Sequence, residues 1–306
     1  GLAMRSAWNR RFTLGLTLAA IALSVCLLLA VERVRQDARE GFQQSISGTD
    51  LVVGARTGPV QLMLYAVFHV GGATSNIRWE SVQRIAGRPE VACTIPLSLG
   101  DSHRGFPVLG TTGAYFEHLR YGQDENLRFS TGRVFKGIFE AVLGSDVAAR
   151  LGYRIGDRIV LNHGTGEAGL TEHADKPFVV TGVLAPTGTP VDRTVHVGLE
   201  AIQALHLDWK GGAPIPGLSI PPEYVRKFDL SPKEVTAVLV GLKIRAAVFR
   251  VQRFVNDYPE EPLLAVLPGV ALDELWEIVG FVEKILLLIS IMVISVGLAG
   301  LIAVVL

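Results

Sequence analysis

The chain is short of several things that would point to a function. Two cysteines in 306 residues cannot form a disulfide scaffold. Charged side chains make up 19% of the chain, against roughly a quarter in an ordinary soluble domain. The 29 basic and 29 acidic residues cancel, so no basic excess marks a nucleic-acid-binding surface. No G-x-x-x-x-G-K-[ST] phosphate loop occurs, which excludes ATP binding by that device. H-E-x-x-H, C-x-x-C and G-x-S-x-G are also missing, which counts against an enzyme. No internal repeat or low-complexity tract is present. What is abundant is apolar: 49% of residues are hydrophobic and the mean hydropathy is +0.37, a composition opposite to that of disordered chains.

Two uncharged stretches absorb the excess. Phe12 to Val31 is 20 residues and Ile285 to Leu306 is 22. At about 1.5 Å per residue each spans the ~30 Å hydrocarbon layer of a bilayer. A buried soluble helix of that length would show a polar face, so both are read as transmembrane helices. A cleaved signal peptide is the alternative for the first. Its apolar run is longer than the ~7–15 residues of a signal core, and no small-x-small cleavage site follows it. Leu23-Ser24-Val25-Cys26 is similar to a lipobox, but Val25 is wrong before the cysteine, so Cys26 reads as a small residue within a retained helix.

Flanking charges orient these helices. Arg5, Arg10 and Arg11 precede the first with no acidic residue nearby, which places the N-terminus in the cytoplasm. Residues 32–40 hold three basic and three acidic side chains, and Asp273, Glu274, Glu277 and Glu283 precede the second helix with only Lys284. The 253 residues between the helices are therefore expected outside the cytoplasm. They hold 55 of the 58 charged residues, an ordinary globular composition. Leu306 ends the second run with no polar flank, so further chain is expected after it.

The region between mixes helix and strand signals, an α+β pattern of two subdomains on helical stalks. The first helix is expected to continue as a stalk to a break at Gly48. Apolar Pro59–Val70 is too short to span and reads as a buried or interfacial helix. Trp79–Ala86 is periodic and stops at Gly87. Val91–Leu99 and Phe106–Leu109 read as strands with a polar turn, Gly100 to Gly105, between them. Glu140–Gly144 is a strand, Ser145-Asp146 caps a helix that Gly152 stops, and Phe178–Leu184, Val235–Leu242 and Leu263–Val266 are strands. The expected organisation is an elbow (1–11), transmembrane helix (12–31), stalk (32–46), α+β domain (47–269), second stalk (270–284) and second transmembrane helix (285–306).

The layout and several motifs resemble the FtsX-like/MacB-like ABC-transporter permeases. Leu2-Ala3-Met4-Arg5-Ser6-Ala7-Trp8-Asn9-Arg10-Arg11 is similar to their N-terminal elbow. Gly132-Arg133-Val134-Phe135, Glu140-Ala141-Val142-Leu143-Gly144, Val147-Ala148-Ala149-Arg150-Leu151-Gly152, Gly156-Asp157 and Phe178-Val179-Val180-Thr181-Gly182-Val183-Leu184 resemble, in that order, the signature of their periplasmic core domain. The resemblance implies a non-catalytic permease of the bacterial inner membrane, multi-pass, with its large domain in the periplasm. It implies a dimer, as homodimer or paired permease, and a cytoplasmic ABC ATPase that holds ATP and Mg while this chain carries no cofactor. A periplasmic adaptor or substrate-binding protein and membrane lipid are further implied partners; nucleic acid is not. It also implies mechanotransmission, in which ATP-driven closure inside moves the outside domain through the stalks. A two-helix membrane sensor with a periplasmic ligand-binding domain, or a membrane-anchored envelope enzyme, shares the topology and stays open.

No residue is assigned as catalytic, cofactor-binding or metal-ligating. His163, His173, Asp175 and His196 fall in one region, but their spacing matches no standard metal site, and surface or loop histidines are expected. Asp101, His103 and Arg104 in the polar turn are candidate partner contacts, since adjacent Asp, Ser and His rarely converge as a triad. Leu62 and Phe68 are candidate lipid or substrate contacts if their segment is not core. Cys93 is expected to be a buried free thiol.

Overall fold

The structure is a computed structural model that describes residues 11–45, 47–71, 75–164, 171–210, 213–215 and 220–305. In chain order its principal elements are α1 (Arg11–Gln44), β1 (Leu51–Ala55), α2 (Pro59–Ala66), α3 (Trp79–Ala86), β2 (Val91–His103), β3 (Phe106–Thr111), α4 (Gly113–His118), β4 (Phe129–Gly132), β5 (Glu140–Leu143), α5 (Ser145–Leu151), β6 (Phe178–Leu184), β7 (Val195–Gly198), α6 (Leu199–Leu205), β8 (Ala237–Leu242), α7 (Val248–Asn256), β9 (Leu263–Val266) and α8 (Pro268–Val305). Contacts divide the chain into Gly1–Glu40 with Asp273–Leu306 as one unit and Gly41–Leu272 as the other.

The larger unit is organised by a mixed twelve-stranded sheet, whose main path runs β9-β1-β8-β2-β3-β7-β5-β6-β4. β1, β8, β2 and β9 pair antiparallel. β3 pairs parallel with β7, and β5 parallel with β6. Their valine-rich sequences are buried on both faces, so they read as continuous apolar runs rather than alternations. Leu51, Val53, Val238, Val240, Leu263 and Ala265 form one core with Val82 and Ile85 of α3 and Val251 and Val255 of α7. Phe106, Val108, Leu143, Phe178, Val180 and Val195 form a second with Val147 of α5 and Leu205 of α6. The expected pair of subdomains is thus one unit with two cores on one sheet.

Several local expectations need correction. The helix predicted over 59–70 ends at Ala66, and its buried face (Leu62, Met63, Tyr65, Ala66) makes it core. The strand predicted to end at Leu99 runs on to His103, and only Arg104-Gly105, both at positive φ (47° and 82°), form the hairpin turn. A bulge at Gly100 (φ 152°) interrupts the register with β3. Ser145 does not cap α5: Gly144 holds the cap position without a side-chain bond. A Cβ on Gly144 would lie 2.3 Å from the Val191 carbonyl oxygen, so only glycine fits where this helix start meets the next loop. Cys93 is half-buried rather than buried.

The smaller unit contains the two long apolar helical stretches. Gly15–Val34 in α1 and Pro268–Gly300 in α8 are each long and apolar enough to cross a membrane. Within this unit a Cβ on Gly297 would lie 2.9 Å from Ile21 Cγ1, so a small residue permits close helix approach. Cys26 is exposed on α1. The N-terminal elbow, residues 1–10, and Leu306 lie outside the described residues.

Candidate functional site

The candidates proposed from sequence part company in the structure. Leu62 is fully buried and Phe68 nearly so, so neither presents a lipid- or substrate-facing patch. Asp101, Ser102 and His103 are buried in β2, not exposed in a turn; only Arg104 at the hairpin tip is exposed. His103 is saturated: its Nδ1 lies 2.6 Å from the Val160 carbonyl and its Nε2 3.0 Å from the Tyr153 hydroxyl. No triad forms there.

Asp101 instead belongs to a cluster that the sheet assembles. The short strand Asn162–His163 pairs antiparallel with β2, setting His163 directly opposite Asp101. Asp101 Oδ1 lies 3.1 Å from His163 Nδ1. The chain then folds back: His173 donates its backbone N–H to the Leu161 carbonyl. His206 arrives from the C-terminal end of α6, where its Nδ1 sits 2.8 Å from the Ile202 carbonyl. A carbonyl can only accept, so Nδ1 carries a proton, and Nε2 is the nitrogen turned inward, 3.2 Å from His163 Nδ1 and 3.9 Å from Asp101 Oδ1. One ligand atom from each of Asp101, His163, His173 and His206 lies within 4.8 Å of the others. Trp209 packs over them, its ring 4.3 Å from that of His173 and 5.3 Å from that of His163.

An adjacent buried ion pair ties down the two segments that bring His173 and His206. Lys176, with no exposed surface, donates to both Asp208 oxygens, at 2.6 and 2.8 Å. Asp208 also accepts the Ile220 N–H at 3.1 Å. Burial pushes the Asp208 carboxyl up, but the bonds from the Lys176 ammonium and backbone outweigh it and leave it below the usual carboxylate range.

The imidazoles differ in charge preference. The Asp101 hydrogen bond raises the His163 pKa. Burial pulls His173 down to about 4. His173 is fully buried, yet neither ring nitrogen has a hydrogen-bond partner among the described residues.

The metal group considered from sequence is therefore half assembled. His163 and His173 do come together. Asp175 faces Lys176 at 3.5 Å. His196 lies in β7 against Tyr115 and Phe116, ring centroids 5.1 and 5.8 Å away. His173 and His196 are buried rather than superficial. Asp101 and His206 were missed because nothing in linear spacing links positions 101, 163, 173 and 206; strand register brings in Asp101 and the end of α6 brings in His206.

Comparison with known proteins bears on the fold that carries this cluster. A family profile described as the MacB-like periplasmic core domain matches residues 14–217. The chain belongs to this family. The MacB-like core domain is part of ABC-transporter permeases, so the chain is a permease domain of the MacB/FtsX type. Among solved structures, the periplasmic region of MacB from Actinobacillus actinomycetemcomitans is similar, with 10% identity and a TM-score of 0.46 over 76% of this chain and 94% of that one. The extracellular domain of the noncanonical ABC-type transporter YknZ from Gram-positive bacteria is also similar, with 12% identity and a TM-score of 0.39 over 71% and 99%. A search of curated proteins returned no match.

The residues that resemble the MacB-like signature have structural tasks here. Arg133 grips Glu140 through two bonds, 2.9 and 3.0 Å. Together with the Lys136 and Gly137 N–H groups that bond holds the Glu140 carboxyl at about 2. Gly144 allows the close approach already described, and Gly152, at φ 72°, ends α5.

Proposed function

We propose that this MacB-like permease chain couples ATP hydrolysis by a separate cytoplasmic ATPase to movement of its periplasmic domain, without catalysing a reaction or carrying a cofactor. The observation that carries this reading is helix continuity. α1 runs unbroken for 34 residues and α8 for 38, about 51 and 57 Å at 1.5 Å per residue. A bilayer core takes only ~30 Å of each. Beyond the uncharged runs that begin at Phe12 and Ile285, both helices therefore continue through segments that carry charged residues, 32–44 and 268–284, and a rigid rod can pass displacement from one end to the other.

In this reading both helices span the inner membrane, the domain lies on the periplasmic side, and the protein works as a dimer or paired permease. A periplasmic adaptor or substrate-binding protein and surrounding lipid complete its environment. The sensor alternative is not favoured by the family to which the chain belongs.

The test is a cysteine lock. Cysteines engineered into the two stalks of a Cys26→Ser, Cys93→Ser background are oxidised in the complex with its ATPase, reconstituted in vesicles. Lock-dependent loss of ATP turnover that reductant restores is expected. Unchanged turnover with complete crosslinking would sink mechanotransmission.

A further inference from the structure

We infer that Asp101, His163, His173 and His206 form a binding site for one divalent transition-metal ion, with Zn²⁺ the best fit. The site goes beyond the permease reading and does not depend on it.

Three observations converge. The first is the donor set. Three imidazoles and one carboxylate are a first-row transition-metal set, borderline in softness, and suit zinc better than the all-oxygen cages of Ca²⁺ or Mg²⁺. The second is geometry. Around a tetrahedral ion at about 2.0–2.1 Å, ligand atoms stand roughly 3.3 Å apart. His163 Nδ1, Asp101 Oδ1 and His206 Nε2 already form a triangle of 3.1, 3.2 and 3.9 Å. The His173 nitrogen completes the group within 4.8 Å, so closing on an ion needs side-chain adjustments of about an ångström.

The third observation is the state of the ligands. His206 is oriented as metal-bound histidines usually are: its outer nitrogen donates to a backbone carbonyl and its inner nitrogen faces the other three ligands. His173 is fully buried, with neither ring nitrogen hydrogen-bonded among the described residues. An unpaired buried polar group destabilises the fold, and a metal bond to that nitrogen would remove the cost. The buried histidines that serve packing keep at least one bond, His103 through both nitrogens and His196 through Nδ1, whereas His173 keeps none among the described residues.

Four protein ligands fill a tetrahedron and leave no position for a reactive water, which is the mark of a structural rather than catalytic ion. The ion would join segments distant in sequence: the end of β2, the short strand at 162–163, His173 and the end of α6. His163 and His206 keep 35% and 28% of their side-chain surface exposed, which gives the ion a route in.

The test uses the full chain without a histidine tag, purified in detergent, stripped with chelator and titrated with Zn²⁺ by calorimetry. One saturable site per chain is expected, with a rise in melting temperature on binding. His206→Ala and His163→Ala, at partly exposed positions that tolerate truncation, should each weaken binding beyond the roughly 10–100-fold that loss of an outer hydrogen-bond partner costs. His118→Ala, at an exposed histidine outside the cluster, should bind as the parent does. Co²⁺ in place of Zn²⁺ should give the intense visible bands of tetrahedral coordination. The proposal is overturned if the parent shows no saturable Zn²⁺ binding, or if both cluster variants bind as tightly as the parent. Weak octahedral Co²⁺ bands would overturn the four-ligand geometry.

Discussion

Two buried histidines in this domain have opposite surroundings. His196 sits in the middle of the sheet, walled by the rings of Tyr115 and Phe116, with its Nδ1 3.3 Å from the Val142 carbonyl. His173 is as deeply buried, but its neighbours are a carboxylate, two more imidazoles and Trp209. The first environment can only hold a neutral ring. The second gathers donors that share a cation well and share hydrogen bonds poorly. Burial alone therefore does not separate a packing histidine from a ligand; the chemistry of the neighbouring atoms does.

The comparison breaks most visibly at the ion pair beside His173. Lys176→Met leaves Asp208 buried and unpaired, and should cost about 3–5 kcal/mol of unfolding free energy, measured by urea denaturation. Lys176→Met combined with Asp208→Leu should recover most of that loss. A single variant as stable as the parent would show that the pair does not hold the His173 and His206 segments.

The next largest effect belongs to His196 and is read by pH. Burial holds its pKa at about 3, against an ordinary 6.5. Above pH 6.5 the folded and unfolded forms are both neutral and no difference arises. Below it, the unfolded chain takes up a proton that the folded ring refuses, so stability falls as pH drops, by about 1.4 kcal/mol per pH unit from this group. His196→Phe, which keeps an aromatic ring and removes the titrating nitrogens, should flatten the stability profile between pH 6 and 4.5. An unchanged slope would mean that the ring gains its proton without unfolding.

The smallest expected effect concerns His103, the fully satisfied member of the series. Tyr153→Phe removes the hydroxyl at its Nε2 and should cost about 1 kcal/mol in thermal unfolding. A loss several times larger would place His103 in a wider network than its two bonds indicate.

Much of the architecture was legible in the residues. Trp79–Ala86, Phe178–Leu184 and Leu263–Val266 appear at the expected positions because their local pattern and their tertiary role agree. Where the two conflicted, tertiary structure won. Asp101-Ser102-His103 looks like turn chemistry, yet β2 carries it inward because Arg104-Gly105 alone makes the turn. Ser145 looks like a cap, yet Gly144, pressed against a neighbouring loop, takes that place. The histidine cluster was half visible, since local grouping suggested His163 and His173. Asp101 and His206 enter through strand register and a helix end, and a single sequence carries no signal for either.

The bulge at Gly100 has a consequence for parity. Leu99 pairs with Leu109 while Asp101 pairs with Val108, so two residues that regular pleating would put on one side of the sheet are sent to opposite sides. One extra residue thus decides which side of the sheet the carboxylate serves. Substitutions along this strand would trim the cluster one group at a time, but a strand that kept residue 100 and drew it into the regular ladder would turn the whole 101–103 tripeptide over and withdraw Asp101 from the three imidazoles in a single step.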